Sequence, residues 1–544
     1  MKLSRRSFLK VVGVAGAAAG LAACGSSEST TTSTSTSTST TTSTEEAVPA
    51  PDQALNYGTD TWPAGFDPHT ISAIAATRVF NHVYETLLCF NSDMTLGGVL
   101  AESWEVVDDM TYLFNLRQGV TFHNGNAMTA ADVKYSFDRI QGKGDYGDIG
   151  ALGSSASYYA DVTVEVIDDY TVQLSLTTPN AAFLSTLTSG YGSIVCADVV
   201  DANDGSLSTI ESMCGTGPFM YSESVVDNYM KLVKNPSYWD AEEPKLDSVT
   251  FYLLADTSAR LAALRTGDIN ICTLSSMELE DVDGDDTIQV KYYQSNNYTF
   301  LGMNLSNAAL QDINVRQAMS LAVDRDAIID YVHNGAAVQT TFVPPAMGIW
   351  SWDAVNESPL YVYDVDAAKA LMEASGYSDS NRLSLKLAAG LLDSIRDTAV
   401  VLQQQLKEIY IDVEISNLES GDYVDQWYIM ATTDADYDLM CGQNGAGTDP
   451  SRSVAFFYGT GAGANVWGYS NTEVDDLCAQ GLATIGDDDT RASYYIDAQK
   501  IIVDECPNLW FASPTEYFFM GANVQGFEPF AANANDLSTV YISE

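Results

Sequence analysis

Two hydrophobic rhythms alternate along most of this chain. Residues 162–176, VTVEVIDDYTVQLSL, set apolar and polar side chains in turn around an Asp-Asp pair. A period of two sends successive side chains to opposite faces of a strand, so the segment predicts a hairpin. Residues 229–239 and 248–254 predict further strands. Between such segments the period lengthens to that of a helix. TSARLAALRTG predicts a helix capped by Thr257 and ended at Gly267. NVRQAMSLAVDRDAII gathers Val315, Ala318, Met319, Ala322 and Val323 on one face behind an Asn314 cap. DVDAAKALMEASGY repeats the scheme, with Asp364 as cap and Gly376 as stop, and residues 399–415 predict a helix leading straight into a strand. The interleaving predicts a mixed α/β fold without internal repeats.

The first fifty residues follow neither rhythm. Arg5 and Arg6 precede an apolar run over 11–23, shorter than the roughly 20 residues that span a bilayer but fitting an export signal, residues 1–23. SRRSFLK resembles a twin-arginine signal, and LAAC resembles a lipoprotein box, which implies acylation at Cys24. Residues 29–44 are all Ser or Thr. They offer nothing to bury against the entropy of ordering, so 24–50 are expected to form a lipidated, disordered tether.

Composition narrows the function. A chain of 544 residues exceeds one ordinary core, so two or more lobes are expected. Its 73 acidic residues outnumber 25 basic ones, for a formal charge of −48. Phosphate backbones and anionic membrane surfaces would be repelled, which excludes nucleic acid and leaves a lipid as the membrane anchor. Beyond Cys24 the cysteines are Cys89, Cys196, Cys214, Cys272, Cys441, Cys478 and Cys506. Cys196 and Cys214 flank a polar loop and are the expected disulfide in an oxidising compartment. Neither C-x-x-C nor H-x-x-x-H spacing occurs, so no metal site or cofactor is expected. GTGPF lacks the lysine of a phosphate loop, GTGAGAN has the wrong glycine spacing for a dinucleotide, and DVDGDDTI lacks the distal glutamate of a calcium loop. With no G-x-S-x-G either, an enzyme is not expected.

Residues 100–140, LAESWEVVDDMTYLFNLRQGVTFHNGNAMTAADVKYSFDRI, resemble the signature region of the family 5 extracellular solute-binding proteins. YLFNL reads as a strand, VTFHNG as its return through an Asn-Gly turn, and Thr129 as the cap of a helix over 130–140; His123 is expected to be structural. Residues 215–240, 254–270, 298–329 and 448–457 match the same family in order. The resemblance implies an α/β, two-lobed clamp of the type II periplasmic-binding-protein class with mixed sheets. Its lobes would be 51–297 and 298–509, with 510–544 returning to complete the first. It implies a monomeric receptor outside the membrane that captures small peptides and hands them to an ABC permease with its cytoplasmic ATPase. The same role for a glycan, an opine-like compound or a metal chelate is the alternative. By the family pattern Asp449 would bind a ligand amine and Arg396 a carboxylate. Trp427, Trp467 and Tyr469 are the candidates for lining side-chain pockets, because aromatics give contact area at little entropy cost. The stretch LMCGQNGAGT before Asp449 departs from the family's aromatic-rich lead-in.

Overall fold

Alternate side chains of strand Ala54–Thr59 are buried, and both its edges are paired, in parallel, with Ser248–Leu253 and Ile271–Leu274. This strand sits inside the larger sheet of the computed structural model. The structure describes residues 52–544 except 72, 144–151, 153–155, 157, 158, 391, 433 and 534. The leader, Cys24 and the Ser/Thr tract lie outside the described residues.

The first sheet has eight strands. Its order is Ile288–Gln294, Ala512–Gly521, Ile271–Leu274, Ala54–Thr59, Ser248–Leu253, Tyr229–Lys234 and Phe219–Val225; Ala337–Gln339 pairs with Ala512–Gly521 off that path. The second sheet has five strands, ordered Ile411–Asn417, Leu383–Ala389, Leu439–Gly445, Asn297–Met303 and Asn508–Trp510. Its parallel pair Leu383–Ala389 and Ile411–Asn417 is joined by helix Asp393–Glu408. That helix buries Ile395, Thr398, Ala399, Leu402 and Leu406, the stripe a 3.6 period lays against a sheet. A four-stranded antiparallel sheet from Ala101–Asp108, Thr111–Leu116, Thr171–Ser175 and Thr163–Asp168 packs beside the first sheet's body.

The chain passes between the two large sheets at two adjacent places. Ile288–Gln294 hands over to Asn297–Met303 through Ser295 and Asn296, and Asn508–Trp510 hands over to Ala512–Gly521 through Phe511. The crossings are laced together: Ser295 N donates to Pro514 O at 3.1 Å, Ser513 Oγ to Ser295 O at 2.7 Å, and Phe511 N to Thr299 O at 3.0 Å. Two α/β bodies joined by paired strands form the two-lobed clamp architecture.

Local expectations hold with small shifts. The 162–176 hairpin forms, as Thr163–Asp168 and Thr171–Ser175. Thr129 starts helix Ala130–Gln141 in a capping box with Asp132, and Asp364 caps Val365–Ala374. Two caps move upstream: Asp256 rather than Thr257, and Asp312 rather than Asn314. In each case the carboxylate accepts a backbone N–H of the first turn, which a residue already inside the helix does not do. VTFHNG does not return as a strand. It closes on itself through a Thr121–Ala127 bridge, and Thr111–Leu116 pairs instead with Ala101–Asp108 and Thr171–Ser175. His123 bonds Gly217 O at 3.0 Å and accepts from Gly215 N, a structural clip on the GTGPF turn.

Candidate functional site

Strand register locates the region where a ligand meets both bodies. In the first sheet Tyr57 pairs with Ile271, Ile271 with Met520 and Met520 with Gln289. Beyond this row Ala54–Thr59 ends while Ile288–Gln294 and Ala512–Gly521 continue to the crossings. The carboxyl end of Ala54–Thr59 therefore faces the second sheet. In the second sheet Leu383–Ala389 and Leu439–Gly445 run parallel, and Gly445 lies opposite Asn297, the first strand residue past the crossing. Their carboxyl ends open at the same level. Ligands of open α/β sheets lie off the carboxyl ends of strands.

Asp449 follows Leu439–Gly445 by one turn through Gly447, whose φ of 76° suits a residue without a Cβ. Asn296 Nδ2 donates to Gly447 O at 2.6 Å, tying this turn to the crossing. Asp449 caps the short helix Pro450–Ser453. Its Oδ1 accepts from Ser451 N at 3.0 Å, Ser451 Oγ at 2.7 Å and Arg491 Nη2 at 2.7 Å. Arg491, from the long helix Asp488–Glu505, also donates to Gly481 O and lies 5.0 Å over the Trp350 ring. The aspartate is thus buried and paired, with every one of these donors on a single oxygen.

Arg396 stands in the first turn of Asp393–Glu408, just past the carboxyl end of Leu383–Ala389. It is half-buried, and its Nε is buried without an acceptor among the described residues. The structure puts Asp449 and Arg396 off the same edge of the second sheet. Helix Ser420–Ile429 covers that edge: Tyr423 donates to Cys441 O at 3.2 Å and lies against Gly390.

The three predicted aromatics divide. Trp427 is half-buried on Ser420–Ile429, edge-on to Phe300 and Trp467, next to the exposed Val424 and Tyr428. Trp467 is a correction. It is fully enclosed, its ring filling the space above Gly302, where any side chain would overlap it. Tyr469 is a second correction: it is buried and its hydroxyl donates to Glu505 at 2.6 Å. Both belong to the buried apolar cluster that also holds Phe300, Ala388 and Met440 of the second sheet.

Cys196 and Cys214 are thiols in the structure. The neighbouring Cys214 pulls the Cys196 thiol down to about 6, helped by Asn124 Nδ2 donating to it at 3.2 Å, while Cys196 together with burial pushes Cys214 up. Sequence reasoning missed Arg491, whose partner is 42 residues away. It also passed over Arg78, visible as a lone cation within the apolar stripe of IAATRVFNHV.

The description "Bacterial extracellular solute-binding proteins, family 5 Middle" fits residues 95–465. Over 506 residues the chain is 29% identical to the Di/tripeptide-binding protein 1 of Pseudomonas aeruginosa, covering 87% of this chain and 91% of that one. It is 27% identical to the Dipeptide-binding protein of Escherichia coli, covering 87% and 92%. Among solved structures it is similar to the ABC transporter-associated periplasmic binding protein DppA of Helicobacter pylori in complex with the peptide STSA. There the TM-score is 0.78 at 25% identity, over 90% of this chain and 98% of that one.

Proposed function

Because the chain belongs to the bacterial extracellular solute-binding proteins of family 5, we propose that it is the substrate-binding lipoprotein of an ABC importer, with short peptides as cargo. The observation that carries this reading is that Asp449 and Arg396 follow the carboxyl ends of two neighbouring parallel strands, with the turn before Asp449 tied to a crossing by Asn296. A guest lying there touches both bodies only when they approach, so its binding energy shifts the population toward a closed form. The closed form is what a permease would recognise. Nothing in this mechanism makes or breaks a covalent bond of the guest.

In this reading the guest's α-amino group meets Asp449 through Oδ2, since the donors described above occupy Oδ1. Its carboxylate meets Arg396, whose unpaired Nε marks it as a donor in want of an acceptor. Between them the backbone pairs with strand edges, and side chains rest against Trp427, Val424 and Tyr428. The lobes would be 51–297 and 298–509, with 510–544 completing the first. Cys24 would carry the lipid, holding a monomer at the outer face of the membrane, and Cys196 and Cys214 would pass two electrons and two protons to an extracytoplasmic disulfide donor.

Calorimetry with di- to pentapeptides tests the cargo, and X-ray scattering with and without the bound peptide tests the closure. Micromolar or tighter binding with a smaller radius of gyration is expected. Heats absent for every peptide would remove peptides as cargo, and superimposable profiles of free and bound protein would remove the clamp.

A further inference from the structure

Arg78 belongs to helix Ile74–Val83, whose neighbours Ala76, Val79, Phe80 and Val83 are all buried. It is buried with them, at 5% exposure. A guanidinium carries five N–H donors and never loses its charge, so burial normally comes with a full set of acceptors. Here neither Nε nor Nη1 has a hydrogen-bond partner among the described residues. The nearest carboxylate, Asp60 Oδ1, stands 3.7 Å from Nη1, beyond hydrogen-bonding reach. That carboxylate is half-exposed and already accepts from Thr61 Oγ1 at 3.0 Å. Beneath the guanidinium lies the Tyr57 ring, 5.3 Å from Cζ, and the Tyr57 hydroxyl is a further buried donor without an acceptor. Burial pushes that hydroxyl up to about 12, so it stays a donor at neutral pH.

These unmet donors sit at a defined place. Thr59, Thr61 and Arg78 form the polar side of a recess of about 10 Å³, room for one oxygen atom, whose remaining walls are apolar, Trp62, Met230 and Phe251 among them. The recess lies under the loop that leaves the carboxyl end of Ala54–Thr59, the end that faces the second sheet. It therefore belongs to the first body, whereas Asp449 and Arg396 belong to the second.

We propose that Arg78 is an anion subsite of the cleft, receiving one carboxylate oxygen from an acidic side chain of the guest. This rests on the peptide-receptor reading for the identity of the guest, but the subsite itself rests on Arg78. The wider protein has a formal charge of −48 and repels anions. A desolvated guanidinium is the local exception that lets an acidic peptide bind, and Asp60 stands at its rim as a weak placeholder. An acidic residue of the guest would thus be held by the first body while its termini are held by the second, so it favours the closed form.

The test uses purified full-length protein. Calorimetry compares Glu-Ala-Ala, Ala-Glu-Ala and Ala-Ala-Glu with their Gln counterparts, in wild type and in Arg78→Gln. At one position wild type is expected to prefer Glu over Gln by about tenfold or more, and Arg78→Gln to lose that preference while still binding the Gln peptide. Asp60→Asn, which removes the placeholder, is expected to strengthen the Glu preference. A second arm titrates sodium formate against a bulky sulfonate at fixed ionic strength and follows the melting temperature without peptide. Formate is expected to raise it in wild type and not in Arg78→Gln. A Glu preference that survives Arg78→Gln overturns the subsite, as does wild type showing neither a Glu preference nor a formate response. An Arg78-dependent formate response in a protein that binds none of the peptides supports the subsite and removes the peptide reading instead.

Discussion

Arg491 and Asp449 form a 2.7 Å ion pair with both side chains almost sealed from water, at 4% and 10% exposure. The pair joins the long helix Asp488–Glu505 to the turn beyond Leu439–Gly445, so it fixes where the aspartate stands. Arg491→Met leaves a buried carboxylate without its cation. The expected loss is about 3–5 kcal/mol, seen as an earlier midpoint in urea. Asp449→Asn keeps the cap and is expected to lose peptide affinity at least tenfold with a smaller loss of stability. Equal peptide affinity in Asp449→Asn and wild type would count against the amine role.

The Trp467 ring occupies the space above Gly302. Gly302→Ala forces a methyl into that ring from an unyielding strand backbone, with an expected cost of about 1–3 kcal/mol. Thermal melts should show the loss while calorimetry shows an unchanged peptide affinity. If affinity fell tenfold at undiminished stability, Trp467 would belong to the pocket after all.

Iodoacetamide labelling in denaturant without reductant distinguishes the two states of Cys196 and Cys214. In protein isolated from an oxidising compartment both are expected to escape labelling, and both to label after reduction. Closing the polar loop between them is expected to add about 3 kcal/mol to stability. Full labelling without reductant would mean the pair stays reduced.

Glu85 is buried against Tyr238 and Trp239, each donating to its Oε1 at 2.9 Å, and burial pushes its carboxyl up to about 7. An acid raised on folding binds more protons folded than unfolded, so its contribution is present below its ordinary value and lost as pH rises to about 7. His69, His82 and His123, pushed down to about 4 by burial, act in the opposite sense: they stabilise at neutral pH, and the contribution is lost as pH falls toward 4. Glu85→Gln removes only the first effect. Across the window ending near pH 7, urea melts should show wild type losing roughly 3 kcal/mol relative to the variant. Parallel pH profiles would show that Glu85 titrates in the ordinary carboxylate range in the fold, against the upward shift.

Much of the architecture was written in local pattern. Alternation found the 162–176 hairpin, and the capping residues Thr129 and Asp364 found their helices, because both signals act within a few residues. The cap errors at 257 and 314 arose where two capping side chains compete within one turn and the carboxylate wins. VTFHNG was misread because an Asn-Gly turn signals a reversal without saying which strand receives it. At the site, the family resemblance singled out Asp449, but its Arg491 partner comes from a distant helix. Burial of Trp467 and Tyr469 depends on which sheet face the chain returns to. Neither relation leaves a trace at short range.

The first sheet places Ala512–Gly521 between Ile271–Leu274 and Ile288–Gln294, strands synthesised more than 200 residues earlier. Until translation reaches that segment, the nascent body holds two unpaired edges separated by a gap one strand wide. Such edges recruit other chains. A stop codon shortly before residue 512 would therefore be expected to yield an aggregating product rather than a smaller working one.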